Sequence, residues 1–266
     1  MEEHYHNAAD DFLELASEQR LNILFNLVLG KSKPSVMARQ LKATVQEVHR
    51  NFERLADSGL IVRDKDGLYG LTTYGKTMCT QVPSLVFLSS NRKYFEDHDF
   101  DNLPTKFIQR IGALSSGQHI KGFVKVLEQW KQIYKNANEY IYEVFYEVPL
   151  DLIEPLISKI KKGIKFQYIF DESAITPKGR KELLEKLGFR KLVQEGLVER
   201  KMKKNVRIIV VLNEKEASVM FPTTDEEVDM GKMFYSDDKL FHEWCLDYFR
   251  YCWYGSDVFQ ESKLKE

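Results

Sequence analysis

The stretch from Thr44 to Met78, TVQEVHRNFERLADSGLIVRDKDGLYGLTTYGKTM, constrains the fold of this chain more than any other. Its first part predicts a helix capped by Thr44, because apolar residues recur there at the helical period. These residues are Val45, Val48, Phe52 and Leu55. Its second part predicts a β-hairpin, because Asp66-Gly67 favours the positive φ angles of a tight turn between two short apolar segments.

Two more helices are predicted upstream of this stretch. SEQRLNILFNLVLG is typical of a helix that Ser17 caps and Gly30 ends. Its apolar face is predicted to contain Leu21, Leu24, Phe25 and Val28. KSKPSVMARQLKAT is a shorter helix entered through Pro34-Ser35. The order helix, helix, turn, helix and hairpin predicts a winged helix-turn-helix.

The outer face of the third helix carries Gln46, Glu47, His49, Arg50, Glu53 and Arg54. Because a helix fits the major groove, its first turns are predicted to contact base edges through Gln46, His49 and Arg50. Contacts to phosphates, which position a protein without reading sequence, are predicted for Arg54, Arg63 and Lys65. Ser35 and Thr44, at the starts of the second and third helices, complete the predicted DNA-binding set.

The charge of the predicted winged helix is locally favourable for double-stranded DNA. The whole chain has a net charge of −1, whereas the segment from Lys31 to Lys76 holds nine basic and five acidic residues, a difference of four. That basic footprint is modest, and a dimer would double it. Winged helices also serve as protein-contact modules of the transcription machinery, and Glu47, Glu53 and Asp57 on the third helix keep that alternative open.

The remainder of the chain predicts a helical segment followed by an α/β domain. Residues 81–137 are expected to be a helical connector that either dimerises or packs into a core. Beyond them, EYIYEVFYEV, IKFQYIFDES and VRIIVVLNEKEASVMFP are rich in aromatic and β-branched residues and predict strands. Helical patterns alternate with these strands, which predicts a partly parallel sheet over residues 138–266, after a winged helix over residues 1–80.

The first third of the chain resembles the winged-helix domain of archaeal ArsR-type regulators. The frame L…L…SGLI…DGLYGLT..GK carries this resemblance, which implies a dimeric transcription factor. Metal-sensing members of that family carry a cysteine pair on the recognition helix. Glutamine, glutamate, histidine and arginine occupy those turns here, so no metal site is expected.

The rest of the chain resembles the regulatory domain of archaeal regulators of the methanogenesis-regulator type. A segment LP..F…I..L, a strand pair ending in FP, and F.SDD..F..WC.D.F.YCW carry this resemblance. It implies a sensor domain related to the phospholipase D-like α/β fold. The predicted fold class is therefore α+β / α/β, with an N-terminal winged helix-turn-helix and a C-terminal α/β regulatory domain.

No enzymatic motif is found in the sequence, so no catalytic residue and no cofactor are predicted. A phospholipase D-like signature requires a histidine, a lysine two residues later and an aspartate five residues after the lysine. His119 and Lys121 have the first spacing, but Val126 stands at the aspartate position, and the segment has a helical pattern. Glycine-rich phosphate loops, GxSxG and HExxH are missing from the sequence.

A small-molecule effector is expected to bind the α/β domain. Ligands of open α/β sheets bind outside the carboxyl ends of the strands, which indicates Glu147 after the first strand and Asp171 and Ser173 after the second. The alternative is that the Asp171 segment only turns the chain. Trp244 belongs to an aromatic cluster that could line an apolar pocket or could be core or dimer interface.

The cysteines and the apolar segments indicate an intracellular compartment. Cys79, Cys245 and Cys252 are too few and too irregularly spaced for a disulfide framework. The acidic N-terminus lacks the apolar segment of a signal peptide, and no apolar run is long enough to span a membrane. The sequence thus predicts a cytoplasmic, homodimeric, DNA-binding transcriptional regulator without a membrane partner.

Overall fold

Helices packed around a short hairpin form the first of two units, residues 1–83, in the computed structural model, which describes residues 2–146, 149–174 and 176–264. Its elements are α1 (Glu2–Leu15), α2 (Glu18–Leu29), α3 (Pro34–Leu41), α4 (Val45–Asp57), β1 (Ile61–Arg63) and β2 (Tyr69–Leu71). Helix α5 (Thr73–Ser90) begins in this unit. This is the predicted winged helix-turn-helix order, with β1 and β2 antiparallel.

The core of the first unit confirms half of the predicted apolar positions and corrects others. The buried face of α2 contains Ile23, Leu24 and Leu27, whereas Phe25 and Val28 are 39% and 54% exposed. In α2 every residue from Leu21 to Leu29 other than Asn22 and Asn26 is apolar, so two stripes fit the helical period and only the packing of α3 and α4 decides between them. Val45 is likewise exposed, because it is the first residue of α4 and lies before the turn that packs.

The second unit, residues 84–266, contains an eight-stranded mixed sheet in the order β10-β6-β5-β4-β7-β8-β9-β3. Its strands are β3 (Gln118–Lys121), β4 (Tyr140–Phe145), β5 (Lys165–Asp171), β6 (Val198–Lys203), β7 (Ile209–Asn213), β8 (Ala217–Met220), β9 (Lys232–Ser236) and β10 (Asp257–Val258). The pairs of β4 with β5 and of β5 with β6 are parallel, and the other pairs are antiparallel.

Helices cover both faces of this sheet. They are α6 (Thr105–Ile108), α7 (Phe123–Asn136), α8 (Leu150–Ile160), α9 (Arg180–Lys186), α10 (Phe189–Gln194) and α11 (Lys239–Tyr254). One apolar cluster joins α7, α8 and α10 to side chains such as Phe166 and Phe170, and a second joins α11 to the opposite face through Ile169. Alternate residues of β5 therefore enter different cores. The predicted fold class, a winged helix with an α/β domain, is confirmed.

The segment 81–137 differs from the predicted helical connector. From Ser84 onward it belongs to the second unit, where Phe107 and Trp130 are core residues. It also contributes strand β3, which pairs with β9 at the edge of the sheet. A strand of four residues has too few alternating apolar and polar positions to be recognised from the sequence. The helical period of α7, which follows directly, extended the predicted helix over this strand.

A second difference lies in residues 176–201, where the sequence TPKGRKELLEKLGFRKLVQEGLVERK predicts one of the helical patterns that alternate with the strands. The helical part ends at Gln194, and Val198–Lys203 form strand β6, parallel to β5. Gly196, with φ +73°, ends the helical part. The two apolar residues of β6, Val198 and Met202, lie four positions apart and both enter the same core, so the pattern VERKMK suits one face of a helix as well as a strand.

The three cysteines are free and buried. Cys245 and Cys252, seven positions apart, lie on the same buried face of α11. Within the described ranges, none of the helices has the length and apolarity needed to cross a membrane.

Glu143, at the centre of β4, is a carboxyl group completely enclosed in the core. Its Oε1 accepts hydrogen bonds from Trp130 Nε1 at 2.8 Å and from the Tyr134 hydroxyl at 2.5 Å. Its Oε2 has no hydrogen-bond partner among the described residues. Burial raises the pKa of Glu143 to about 7, and this effect is larger than the opposite effect of the two hydrogen bonds, which lower the pKa. A carboxyl group in such a site favours its protonated form.

We expect Glu143→Gln to change the pH dependence of stability. Because the folded-state pKa is raised above the unfolded value, the wild-type protein should lose stability as the pH rises from about 4.5 to about 7, by on the order of 2–3 kcal/mol. The variant, which cannot ionise, should not show this loss. Denaturant unfolding at pH 5 and pH 8 measures the difference. If the free energies of unfolding of variant and wild type differ by the same amount at both pH values, Glu143 does not have a raised pKa. Glu199→Gln, at an exposed position of β6, is the control.

Candidate nucleic-acid interface

Helix α4 presents one buried and one exposed face. Val48, Phe52 and Leu55 are completely buried, while Gln46, His49 and Arg50 are exposed on the other side. Thr44 caps the helix, since its Oγ1 accepts a hydrogen bond from the backbone N–H of Glu47 at 3.2 Å. The predicted contact residue Thr44 therefore uses its side chain to fix the start of α4.

An aromatic contact and a buried amide hold α4 in place. The Phe52 and Tyr69 rings meet edge to face with centroids 5.0 Å apart, which joins α4 to strand β2. On the same helix, the buried Asn51 side chain donates a hydrogen bond to Gln19 of α2. Sequence reasoning missed Asn51, because a polar residue within a helix is usually assigned to the surface.

The hairpin between β1 and β2 has a five-residue loop, residues 64–68, in place of the predicted tight turn. Asp64 organises it, because its Oδ1 accepts hydrogen bonds from the backbone N–H groups of Asp66 at 3.0 Å and Leu68 at 2.9 Å. Gly67 has the predicted positive φ, +76°. Asp64 also pairs with Lys31 at 2.9 Å, so this lysine is occupied, although the local excess of four, which counts both charges, stays the same.

The basic side chains of the hairpin are exposed. The Arg63 guanidinium lies over the Tyr69 ring, 6.0 Å from its centroid, and Lys65 is exposed within the loop. On the neighbouring α3, Ser35 is exposed at the second helical position and Lys33 precedes the helix. The sequence prediction omitted Lys33, although the charge count had included it.

Arg54 departs from its predicted role. Its guanidinium forms a two-atom ion pair with Glu14 of α1, with Nε 3.2 Å from Oε2. Around this pair lies a recess of about 480 Å³ that Asp10, Asp11 and Asp57 also line. A phosphate would meet several carboxylates there. The sequence could not reveal this pairing, because 40 positions separate the two partners.

The remaining predicted residues of α4 differ in how free they are. His49 Nδ1 lies 3.4 Å from Glu53 Oε1, one helical turn later. Gln46 and Arg50 form no hydrogen bond or ion pair with any residue that the structure describes. The set that remains exposed and uncommitted is therefore smaller than predicted: Ser35, Gln46, Arg50, Arg63 and Lys65.

The predicted effector residues that the structure describes form hydrogen bonds and core contacts within the second unit. Asp171 is buried, and its carboxylate accepts hydrogen bonds from Ser173 N at 2.7 Å and Val206 N at 2.6 Å. Trp244 is completely buried and donates a hydrogen bond from Nε1 to the Phe107 carbonyl at 3.1 Å. These contacts turn the chain and fill the core, which was the alternative reading of both. Glu147 lies outside the described residues.

His119 lies on strand β3, so its assignment to a helical stretch was wrong. Its ring stacks on Phe234, with centroids 4.8 Å apart, and its buried Nε2 has no hydrogen-bond partner among the described residues. Burial, with the charge of Lys121 next, lowers its pKa to about 4. Val126, at the position of the required aspartate, is buried in α7. In the part of the chain that the structure describes, no group of His, Cys, Asp or Glu side chains is arranged to hold a metal ion.

Comparisons with known proteins give similar structures but no family. No family model and no curated protein sequence matches this chain. The solved structure of TrmBL2, described as an archaeal chromatin protein with a novel mode of DNA binding, is 11% identical and is matched over 91% of this chain and 93% of that one, with a TM-score of 0.44.

Two further structures are similar to about half of this chain. Nuc from Salmonella typhimurium, a phospholipase D family member, is 13% identical and is matched over 55% of this chain and 99% of its own, with a TM-score of 0.41. NucT from Helicobacter pylori is 15% identical and is matched over 54% of this chain and 98% of its own, with a TM-score of 0.42.

We expect Thr44→Ala to loosen the start of α4. Loss of an N-cap hydrogen bond costs about 1 kcal/mol, which corresponds to roughly fivefold faster opening. Hydrogen exchange of a peptide that covers residues 44–57 measures this effect locally. Thr44→Ser keeps the accepting oxygen and should exchange like the wild type. Equal exchange in the alanine variant would show that the cap does not hold the helix.

Proposed function

We propose that this protein is a homodimeric DNA-binding transcriptional regulator whose second unit senses a small-molecule effector. The observation that carries the proposal is the exposed face of α4. It presents Gln46 and Arg50 without partners among the described residues, while its opposite face is buried and joined to the hairpin. An exposed helix with uncommitted hydrogen-bond donors meets the geometric requirement for reading base edges in the major groove.

The two sets of side chains have different roles in this proposal. Gln46 and Arg50 contact base edges, since glutamine suits adenine and arginine suits guanine through paired hydrogen bonds. Arg63 and Lys65 on the hairpin contact phosphates and fix the orientation of the domain. Arg54 is left out of the phosphate-binding set, because its guanidinium is already bound by Glu14 beside further carboxylates.

Protein contact without DNA is the competing function, and one observation favours it. The recess around Arg54 is lined by acidic side chains of α1 and α4, among them Asp10, Asp11 and Asp57. Carboxylates in this number oppose a polyanion and suit a basic protein surface. The DNA measurement below separates the two functions.

A homodimer is proposed because one domain offers a small basic footprint, and two copies would double the number of phosphate contacts. Exposed apolar side chains in the segment 81–137 support an interface there. Leu85 and Val86 on α5 are 54% and 45% exposed, and Phe123 and Val124 at the start of α7 are 50% and 67% exposed. The members of each pair are adjacent in the chain, and exposed apolar side chains that form a contiguous patch are typical of association surfaces.

The proposed function includes no catalysis. His119 is half-buried and stacks on Phe234, and no aspartate occupies the position that the phosphodiesterase signature requires. A general base near its working pH would need a pKa close to 7, whereas burial lowers that of His119 to about 4. Lack of hydrolysis of a generic phosphodiester by the wild-type protein is the expected result.

We expect Arg50→Ala to weaken binding to a labelled duplex from the protein's own promoter region by about 10- to 100-fold, as the loss of one base contact does. Binding to a random duplex should change much less. Lys65→Ala should weaken both complexes equally and lower the salt dependence by about one phosphate contact. Fluorescence polarisation over a range of salt concentrations measures both effects.

The control for these variants is Arg92→Ala, which removes an exposed arginine from the second unit and should leave both affinities unchanged. If the wild-type protein shows no salt-dependent binding, or if Arg50→Ala binds promoter DNA as well as the wild type, the DNA-binding function is wrong. The protein-contact function would then be preferred.

We expect Val124→Glu to shift the protein from dimer to monomer, because it places a charge in the proposed interface. Sedimentation velocity over a range of concentrations measures the change. Val28→Glu, at a similarly exposed valine of α2, is the matched control and should remain dimeric. A monomeric wild type would contradict the homodimer, and dissociation by Val28→Glu alone would move the interface to the first unit.

A further inference from the structure

A recess of about 770 Å³ opens in the second unit beside the helices that connect β5 to β6. Helices α9 and α10, strand β6 and residues near the C-terminus line it. The residues that line this recess include none of the predicted effector residues and none of the proposed DNA-binding residues. Its volume is within the range of ordinary small-molecule sites.

The charge of this recess is unbalanced. Its basic side chains are Arg180, Lys181, Arg190 and Arg200, and its acidic ones are Glu185 and Glu261. Arg200 pairs with Glu261 at 2.9 Å. The other three basic groups have no ion-pair partner among the described residues, so the recess keeps an excess of positive charge.

The remainder of the lining is apolar. Leu184, Phe189 and Val193 contribute side chains from α9 and α10, and Leu264 contributes one from the C-terminal segment. A cationic group beside an apolar wall suits a ligand that has one charged end and one apolar body. A plain inorganic anion would leave the apolar wall uncovered.

Two of the arginines are held in position by aromatic rings. The Arg180 guanidinium lies 5.6 Å from the centroid of Phe170, and that of Arg200 lies 4.3 Å from the centroid of Phe259. Stacking on a ring fixes a guanidinium without neutralising it. Arginines fixed in this way lose less conformational entropy when they bind a ligand.

A buried hydroxyl group interacts with two of the arginines that line the recess. Tyr168 is 2% exposed, and its hydroxyl has no hydrogen-bond partner of normal geometry among the described residues. Burial raises its pKa, and the charges of Arg180 and Arg200, with a hydrogen-bonding interaction from Arg200, oppose this rise. Tyr168 itself does not line the recess, so the three basic side chains without ion-pair partners remain the groups that face a ligand.

We propose that this recess binds a small organic anion with an apolar body, in which Arg180 and Arg190 contact the anionic group and Phe189 packs against the apolar part. Carboxylate, sulfonate and phosphate share the chemistry that two guanidinium groups recognise. Binding itself does not depend on the proposed function. A regulatory role of this anion does rest on it, as the effector of the transcriptional regulator.

The test uses the full chain and a fluorescent probe, anilinonaphthalene sulfonate, which combines an anionic group with an apolar body. Its uncharged parent, phenylnaphthylamine, has the same rings without the sulfonate. We expect saturable binding of one sulfonate probe per chain, and weaker binding of the uncharged parent. Arg190→Gln and Arg180→Gln should each weaken the sulfonate by about tenfold or more, as loss of a charge-assisted hydrogen bond does.

Lys191→Gln is the matched control. Lys191 neighbours Arg190 on α10 and has the same charge, but it pairs with Glu195 and does not line the recess. Equal weakening by Lys191→Gln and Arg190→Gln would show that only the general charge matters, and would overturn the proposal. Non-saturable binding, or equal affinity for the uncharged parent, would overturn it too.

Misfolding and failure of the proposed function can be distinguished from failure of this inference. Arg190 is exposed, so its variant should keep the wild-type circular dichroism spectrum and melting temperature even if Arg180→Gln does not. Promoter binding by the same samples is measured without the probe. If the protein binds DNA but not the probe, only the proposed anion site is wrong. If it binds the probe but not DNA, only the proposed regulatory function is wrong.

Discussion

Strand β4 lies between neighbours of opposite direction, and the second unit depends on that arrangement. It pairs parallel with β5 on one side and antiparallel with β7 on the other. Parallel neighbours require a crossover, which α8 provides, and the antiparallel side can continue as the meander β7, β8 and β9. The strand is therefore buried on both faces, with Ile141 in one core and Val144 in the other. Glu143 shares this burial, which is why its carboxyl group is so strongly perturbed.

The elements that the sequence predicted well are those in which one physical signal recurs along the whole segment. Strands β4 and β5 are dense in aromatic and β-branched residues, and α11 combines the Asp238 cap with a long aromatic stripe. Strand β6 escaped prediction because its VERKMK sequence has charged residues at most positions and gains its strand geometry from pairing with β5. Non-local pairing of this kind has no signature within the segment itself.

The candidate interface shows the same limit at the level of single residues. The helix, its Thr44 cap and the Gly67 turn follow from local rules, and the structure contains all three. Whether a given side chain is free to contact DNA does not follow from local rules. Arg54 and Arg50 lie one helical turn apart and look alike in the sequence, yet Glu14 neutralises only Arg54. The difference arises from how α1 packs in the first unit.

Four arginines of this protein show two ways in which a guanidinium is held. Arg20 and Arg54 are bound to Glu14 by ion pairs, and Arg20 also donates to the backbone carbonyls of Leu13 and Glu14. The Nε and Nη2 atoms of both are therefore occupied. Arg63 lies over Tyr69 and Arg180 lies over Phe170, where a ring restrains the guanidinium but accepts none of its in-plane hydrogen bonds. Each of the second pair keeps its charge and its donors for an anion. A guanidinium that a ring restrains and that has no carboxylate partner keeps its charge and loses little conformational entropy on binding, so these two arginines indicate surfaces of this fold that are prepared to bind an anion.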